Sequence, residues 1–404
     1  MKFSKLSQLA LVSTIGLLVA SLLTACQLVT IDYVFVADSA GSGTGSAGQI
    51  EAFAADSQSG ALRKAGTAVP SGGTKPVAMA VTSNFYSLYV ANQGNNSVVH
   101  FGVAINGGLT SLDTITTTDT PVSIAVNAAN TYLYVISGTS SATLTEYPLD
   151  KNGKIGSAMA QIALTLPAYG GDTIIPTGVA VLANNNNVYV SAYDQSAYNP
   201  GGVTSSGANP GWVFGFSVGS GGALTATSGS PYKAGVKPSG LAADPANRFV
   251  YVTDYASNQL IGFTIQSSGS LNFLVNGPFK TGNEPTSIVV DPRGQYIYLA
   301  NALDSSVTGY TIALPTGTPS AIVNSNASIL YGTDTEPVAI TIDPALGRFV
   351  YTANHLGNSI SGFRLNPDTG VLVTTQATPY PTGASPTAII AVPHGNHSLQ
   401  SVAP

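Results

Sequence analysis

A short aromatic run ending in Asn, Asp or a small residue recurs seven times along this chain, and it limits the possible folds more than any other feature. The copies are Tyr33 to Asp38, Tyr89 to Asn92, Tyr134 to Ser137, Tyr189 to Ala192, Tyr251 to Asp254, Tyr298 to Asn301 and Tyr351 to Asn354. A second run, Pro followed by small and aliphatic residues, starts at Pro76, Pro121, Pro176, Pro238, Pro285, Pro337 and Pro386. Both series repeat every 45 to 62 residues. A unit of that size cannot bury its own apolar face, so successive units must stack on one another. After residue 30 no stretch keeps the 3.6-residue period of an amphipathic helix. The apolar residues come instead in short β-branched and aromatic runs broken by Gly, Pro and Asn, which reads as strand and turn.

Each unit has room for four strands. Pro238 to Ala243 turns through Asp244-Pro245 into Phe249 to Thr253, and a loop at Tyr255 to Asn258 leads to Gln259 to Gln266. A Gly-Ser turn then leads to a fourth strand near Leu271. Four antiparallel strands at this period form a propeller blade. The expected fold is therefore all-β, a seven-bladed β-propeller. Small residues such as Ala78, Ala80, Ser123, Ala125, Gly178 and Ala180 on the Pro-initiated strands suit an inner position, where converging blades leave little room. The chain enters at Ile31 with a second-type strand and ends with Pro386 to Val392, a first-type strand. Pairing the two would complete the seventh blade and remove the free sheet edges, giving one domain from 31 to 392 and a polar tail over 393–404.

Residues 1–26 read as a targeting segment rather than as part of the fold. Lys2 and Lys5 supply its positive end and Leu9 to Leu23 its apolar stretch. Leu23-Thr24-Ala25-Cys26 resembles the lipobox of bacterial lipoproteins, which implies that Cys26 becomes the lipidated first residue of an exported, membrane-anchored protein of the cell envelope. Gln27 after it favours outer-membrane sorting; the alternative is an ordinary secretory signal with a chance Cys. Residues 27–30 would be a tether of about 15 Å at most, which sets the bottom of the propeller against the membrane. The single Cys excludes a disulfide scaffold and a Cys-based zinc site. A net charge of -5 argues against nucleic acid as a partner.

The repeats Tyr-Val-Ala-Asn (89–92), Tyr-Val-Thr-Asp (251–254) and Asp-Pro-x-Gly-Gln-Tyr-Ile-Tyr (291–298) resemble the seven-bladed lactonase-type propeller family. That family includes 6-phosphogluconolactonases, carboxymuconate cycloisomerases and YVTN-repeat surface proteins. The resemblance spans essentially the whole chain after the targeting segment. It implies His and Arg beside the inner-strand Pro, in Pro-His-Pro-His and Gly-Pro-Arg-His stretches. Here the matching stretches read Ile175-Pro176-Thr177-Gly178 and Lys237-Pro238-Ser239-Gly240. Hydroxyls donate single neutral hydrogen bonds, weaker than a fixed cation at holding a developing oxyanion. The function expected is thus binding of a small ligand, glycan or protein partner at the top face without evident catalysis. The alternatives are a lactone hydrolase acting on sugar lactones and a structural or adhesive surface propeller.

Loops before each inner Pro and after each Tyr-x-x-Asn run should share one face, the top. Nine of the 19 acidic residues fall there: Asp38, Asp119, Asp172, Asp194, Asp254, Glu284, Asp304, Asp334 and Glu336. The basic residues are Lys75, Lys233 and Lys237, with His355 nearby. One reading is an acidic funnel for cations or calcium; the other is that these acids serve local turns. No Asp-x-Asp-x-Asp-Gly loop supports calcium, so no cofactor and no metal site is expected. Glu284 and Glu336 directly precede inner-strand prolines and would stand nearest the axis. With His355 they are the candidates for acid–base work. Candidate ligand-binding residues are Lys75, Lys237 and Asp254, together with Tyr198 and Trp212 from the long loop 194–211, whose rings suit stacking on sugar faces or pinning the loop to the blade. His394 and His397 could hold a metal or belong to a frayed tail. No haem-attachment, nucleophile-elbow, phosphate-loop or His-Glu-x-x-His motif occurs, and a single Trp disfavours tryptophan-docked quinoprotein propellers.

Overall fold

The computed structural model describes residues 29–39, 47–139, 141–166, 173–198 and 210–395. The expected targeting segment with Cys26, the loop residues 199–209, Asp172 and His397 lie outside them. Seven antiparallel sheets stand around a central axis as the blades of a propeller. We number them by inner strand: blade 1 covers 76–116, blade 2 121–163, blade 3 174–226, blade 4 238–273, blade 5 285–321 and blade 6 337–374. Blade 7 is built from both ends of the chain, Leu62–Lys64, Ala47–Asp56 and Thr30–Asp38 adding in turn to Pro386–Pro393. Val34 pairs with Ala391 across that seam.

The recurring Tyr run is the second strand of each blade, and its burial explains its composition. Phe249–Asp254, Tyr296–Asn301 and Phe349–Asn354 are buried at every position, because both faces meet neighbouring blades. Apolar clusters accordingly lie between blades, as where Phe249, Tyr251 and Leu260 of blade 4 pack on Ile288, Ile297 and Leu299 of blade 5. The tyrosine hydroxyls, taken out of water, need partners. Tyr89, Tyr189, Tyr251, Tyr298 and Tyr351 each donate to a glycine carbonyl in the next blade's outer hairpin, at Gly153, Gly269, Gly317, Gly370 and Gly60. Those glycines have positive φ, and at Gly60 an added Cβ would run into the Phe349 ring.

Opposite the tyrosine, the third strand carries Gly215, Gly262, Gly309 and Gly362 in blades 3 to 6. A side chain from beyond the outer strand, such as Leu274 or Ile322, covers each gap. These blades and blade 7 also have a short fifth strand alongside the third. Among the described residues blades 1 and 2 show no such strand, and His100 and Glu146 stand opposite Tyr89 and Tyr134. Glu146 is fully buried with neither carboxyl oxygen hydrogen-bonded, and burial pushes its pKa up to about 7.

Near the axis the register shifts by one residue just after each inner Pro. The residue left unpaired can therefore bond elsewhere. Ser239, Thr286 and Thr387 use it to donate to the carbonyls of Pro285, Pro337 and Pro76 in the adjoining blades. The bottom turns are joined as well. Ser83 bonds Asn130, Arg248 reaches Gly294 and Arg293 reaches Gly347. Between blades 6 and 7 the corresponding neighbours are two carboxyl groups, Asp32 and Asp343. Burial, followed by the charge of Asp343, holds Asp32 well above the ordinary carboxylate range.

Candidate functional site

The top face is defined by a backbone contact repeated around the ring. In six of the seven blades the residue before the inner Pro offers its carbonyl to the amide that follows the second strand; in blade 3 Gln195 bonds Thr173 instead. Gln93 bonds Lys75, Tyr255 bonds Lys237, Ala302 bonds Glu284 and His355 bonds Glu336, all at 2.8–2.9 Å. Lys75, Glu284 and Glu336 take left-handed φ values of 51°, 54° and 59° to make this turn. Such conformations in non-glycine residues persist only where surrounding bonds fix them. The Glu284 amide accordingly donates to Asn258 Oδ1 at 2.8 Å and that of Glu336 to Ser305 Oγ at 3.4 Å.

Between blades 3 and 5 these turns bring together a compact group. Lys237 Nζ lies 4.5 Å from the centroid of the Tyr255 ring, 5.1 Å from that of Tyr198 and 5.6 Å from that of Tyr193. Tyr193 and Tyr198 meet edge to face at 5.6 Å. Burial under these rings pulls the Lys237 ammonium below the usual lysine range, while the nearby Glu284 charge opposes the shift. Burial and a hydrogen bond to Glu284 push the Tyr255 phenol up to about 12, with the charge of Glu336 adding to the effect. Glu336 Oε2 is buried and has no hydrogen-bond partner among the described residues. The group therefore offers one ammonium, the rings and phenols of three tyrosines, and two glutamate side chains, one of which has an acceptor oxygen unused by the described residues. Such a set grips a small polyhydroxylated ring.

The structure gathers Lys237, Tyr198, Glu284 and Glu336 from the residues singled out in the sequence and disperses the others. His355 Nδ1 contacts the Pro386 carbonyl at 3.2 Å, and among the described residues no hydrogen bond joins its imidazole to either glutamate. Lys75 is exposed and lies three blades from Lys237. Asp254 holds the loop rather than facing a ligand. Its carboxylate accepts the amides of Val236 at 2.8 Å and Lys237 at 2.9 Å, and the Gln259 side chain at 3.0 Å. Trp212 is half-buried against the blade 2–3 core and paired with Lys233. Thr177 and Ser239, at the positions where the family resemblance implies His and Arg, spend their hydroxyls on Ser191 and on Thr253 with Pro285.

The acids of this rim are mostly engaged in turns. Asp194 accepts from Ser196, Asp304 from Asn283 and Asp334 from Ser359. Asp38 is buried, and burial with the nearby Glu51 charge pushes it up to about 8. Of the described rim acids, Glu284 and Glu336 are the ones that stand at the Lys237 group. Among the described residues no group of three or more His, Cys, Asp or Glu could hold a metal ion. Tyr193 and Tyr255 are site residues that the sequence reading passed over. Each stands at or just beyond the end of a second strand, where spacing does not tell which way the ring points.

The sequence matches the family described as lactonase, seven-bladed beta-propeller, over residues 47–169 and 235–397. Among solved structures, a candidate 6-phosphogluconolactonase from Bacteroides uniformis shares 18% identity, over 90% of this chain and 100% of its own, with a TM-score of 0.72. The periplasmic gluconolactonase PpgL of Pseudomonas aeruginosa shares 17% identity over 91% of this chain and 100% of its own, with a TM-score of 0.70. At this identity the likeness is one of fold. No functionally curated protein matches the sequence.

Proposed function

This chain belongs to the lactonase seven-bladed β-propeller family, and from that premise we propose that it binds a small sugar-derived ligand at the top-face group around Lys237. The observation that carries the reading is the Lys237 ammonium, ringed by Tyr193, Tyr198 and Tyr255 beside Glu284. A cation already partly stripped of water is worth more to an incoming oxygen than a solvated one. The tyrosine faces suit the apolar face of a sugar ring, and Glu284 and Glu336 can accept its hydroxyls. The absence of His and Arg at Thr177 and Ser239 favours binding without turnover. Saturable binding of gluconolactam, lost in Lys237→Ala, tests the proposal.

Family membership and the gluconolactonase-type neighbours favour a second reading, lactone hydrolysis at the same place. Water would add to the lactone carbonyl, the ring C–O bond would break, and the hydroxy acid formed would release one proton. Lys237 would stabilise the carbonyl oxygen and a glutamate would take the proton from water. Proton release at constant pH from a panel of sugar and aromatic lactones separates the two readings. Turnover abolished in Glu284→Ala or Glu336→Ala establishes the hydrolase, and none above the buffer rate leaves the binding protein.

The lipobox-like segment ending at Cys26 supports display of this site from a lipid anchor at the cell envelope. Incorporation of labelled palmitate that disappears in Cys26→Ala is the expected outcome, and retained label would overturn it.

A further inference from the structure

We propose a second ligand site, on the opposite face of the propeller from the Lys237 group: a cleft between blades 1 and 2 that takes a short oligosaccharide. The cleft encloses about 670 Å³ and is lined by Tyr86, Asn84, Asn130, Asp150, Lys151 and Asn152 among others, a volume within the range of small-molecule sites. Its walls are two bottom turns and the outer hairpin of blade 2.

Three properties point to a sugar. First, Tyr86 leaves 56% of its surface in solvent, although most tyrosines of this chain sit in the blade cores. An exposed ring beside a polar cavity offers a flat apolar face with a hydroxyl at its rim. Secondly, besides Asn130, whose amide is engaged between the blades, the wall carries Asn84, Asn152, Asp150 and Lys151, side chains whose donors and acceptors suit the hydroxyls of a pyranose.

Thirdly, the walls are fixed before any ligand arrives. Ser83 N donates to Asn130 Oδ1 at 2.7 Å and Asn130 Nδ2 to Ser83 Oγ at 2.9 Å, locking blade 1 to blade 2. Asp150 Oδ1 accepts the amides of Asn152 at 2.7 Å and Lys154 at 2.9 Å. Behind the hairpin, Asp113 bridges His100 Nδ1 at 2.7 Å and the Ile155 amide at 3.1 Å, while Tyr89 holds the Gly153 carbonyl at 2.5 Å. His100, stacked on Tyr89 at 4.9 Å, occupies the slot that glycine fills in blades 3 to 6. The substitution that sets blade 1 apart thus also builds the cleft wall. Preorganisation of this kind lowers the cost of ordering on binding.

The test uses cellotriose, maltotriose and tri-N-acetylchitotriose as probes, with saturation-transfer NMR and titration on the whole protein. At least one trisaccharide should bind saturably. Tyr86→Ala should weaken it by about tenfold or more while Tyr86→Phe stays within about threefold, both with unchanged melting temperature. Lys237→Ala should leave it unaffected, which keeps this proposal separable from the top-face reading. Failure of all three sugars to saturate overturns the proposal. So does binding that survives Tyr86→Ala, or binding that is lost in Lys237→Ala.

Discussion

The Tyr351 hydroxyl donates to the Gly60 carbonyl at 2.8 Å across 291 residues of sequence. With the pairing of Thr30–Asp38 to Pro386–Pro393 it closes the ring between the two ends of the described chain.

Removing this closure bond should cost measurable stability. Tyr351→Phe is expected to lower the unfolding free energy by about 1–2 kcal/mol, since it leaves a buried carbonyl unpaired. Gly60→Ala should cost more, about 3 kcal/mol, because φ is +69° and the Cβ meets the Phe349 ring. Urea unfolding of the two variants gives the order directly.

Three buried acids predict a stability that falls with rising pH. Burial raises Asp38 to about 8 and Glu146 to about 7, and holds Asp32 well above the usual carboxylate range. The unfolded chain releases these protons at about pH 4, so between there and the raised values the folded state holds more protons. Their contribution to stability is full below about pH 4 and is lost progressively as the pH rises towards 8. Melting temperatures across that range should fall, and the fall should be shallower in Asp38→Asn and in Glu146→Gln.

The clamp beneath the top-face group should be separable from the group itself. Asp254→Ala frees the amides of Val236 and Lys237, and is expected to cost about 3 kcal/mol. Tyr255→Phe should leave stability nearly unchanged and weaken ligand binding several-fold, since only the phenol beside Glu284 is lost. Calorimetry for stability and titration for binding distinguish the two roles.

Binding should also report the environment of Lys237. Its ammonium loses its proton below the ordinary lysine range, so affinity should decline at a lower pH than a solvent-exposed lysine would give. Lys237→Arg, whose charge persists, should abolish that alkaline decline. A decline unchanged in this variant would assign it to another group.

The blade plan was legible because its signals are local. Seven inner prolines, the Tyr runs and the turn residues each fix a strand or its end within a few positions, and the unpaired strands at the two ends called for closure. The site was legible only in part. Glu284, Glu336 and Lys237 could be placed on the top face by their position before an inner Pro. Where a side chain points beyond a strand end depends on the path of the loop, so Tyr193 and Tyr255 were placed at loop starts without a role in the site. Asp254 passed as a ligand residue for the same reason, although its oxygens face the backbone of its own loop. The places of His100 and Glu146 opposite Tyr89 and Tyr134 follow from strand register, which no residue spacing announces.

The central claim is that Lys237, Tyr255 and Glu284 form a ligand site. Calorimetric titration of the purified protein with gluconolactam, a non-hydrolysing counterpart of a sugar lactone, tests it most directly. A saturable heat with one site per chain is expected, disappearing in Lys237→Ala and persisting in Lys75→Ala. No saturable heat, or an isotherm unchanged in Lys237→Ala, would contradict it.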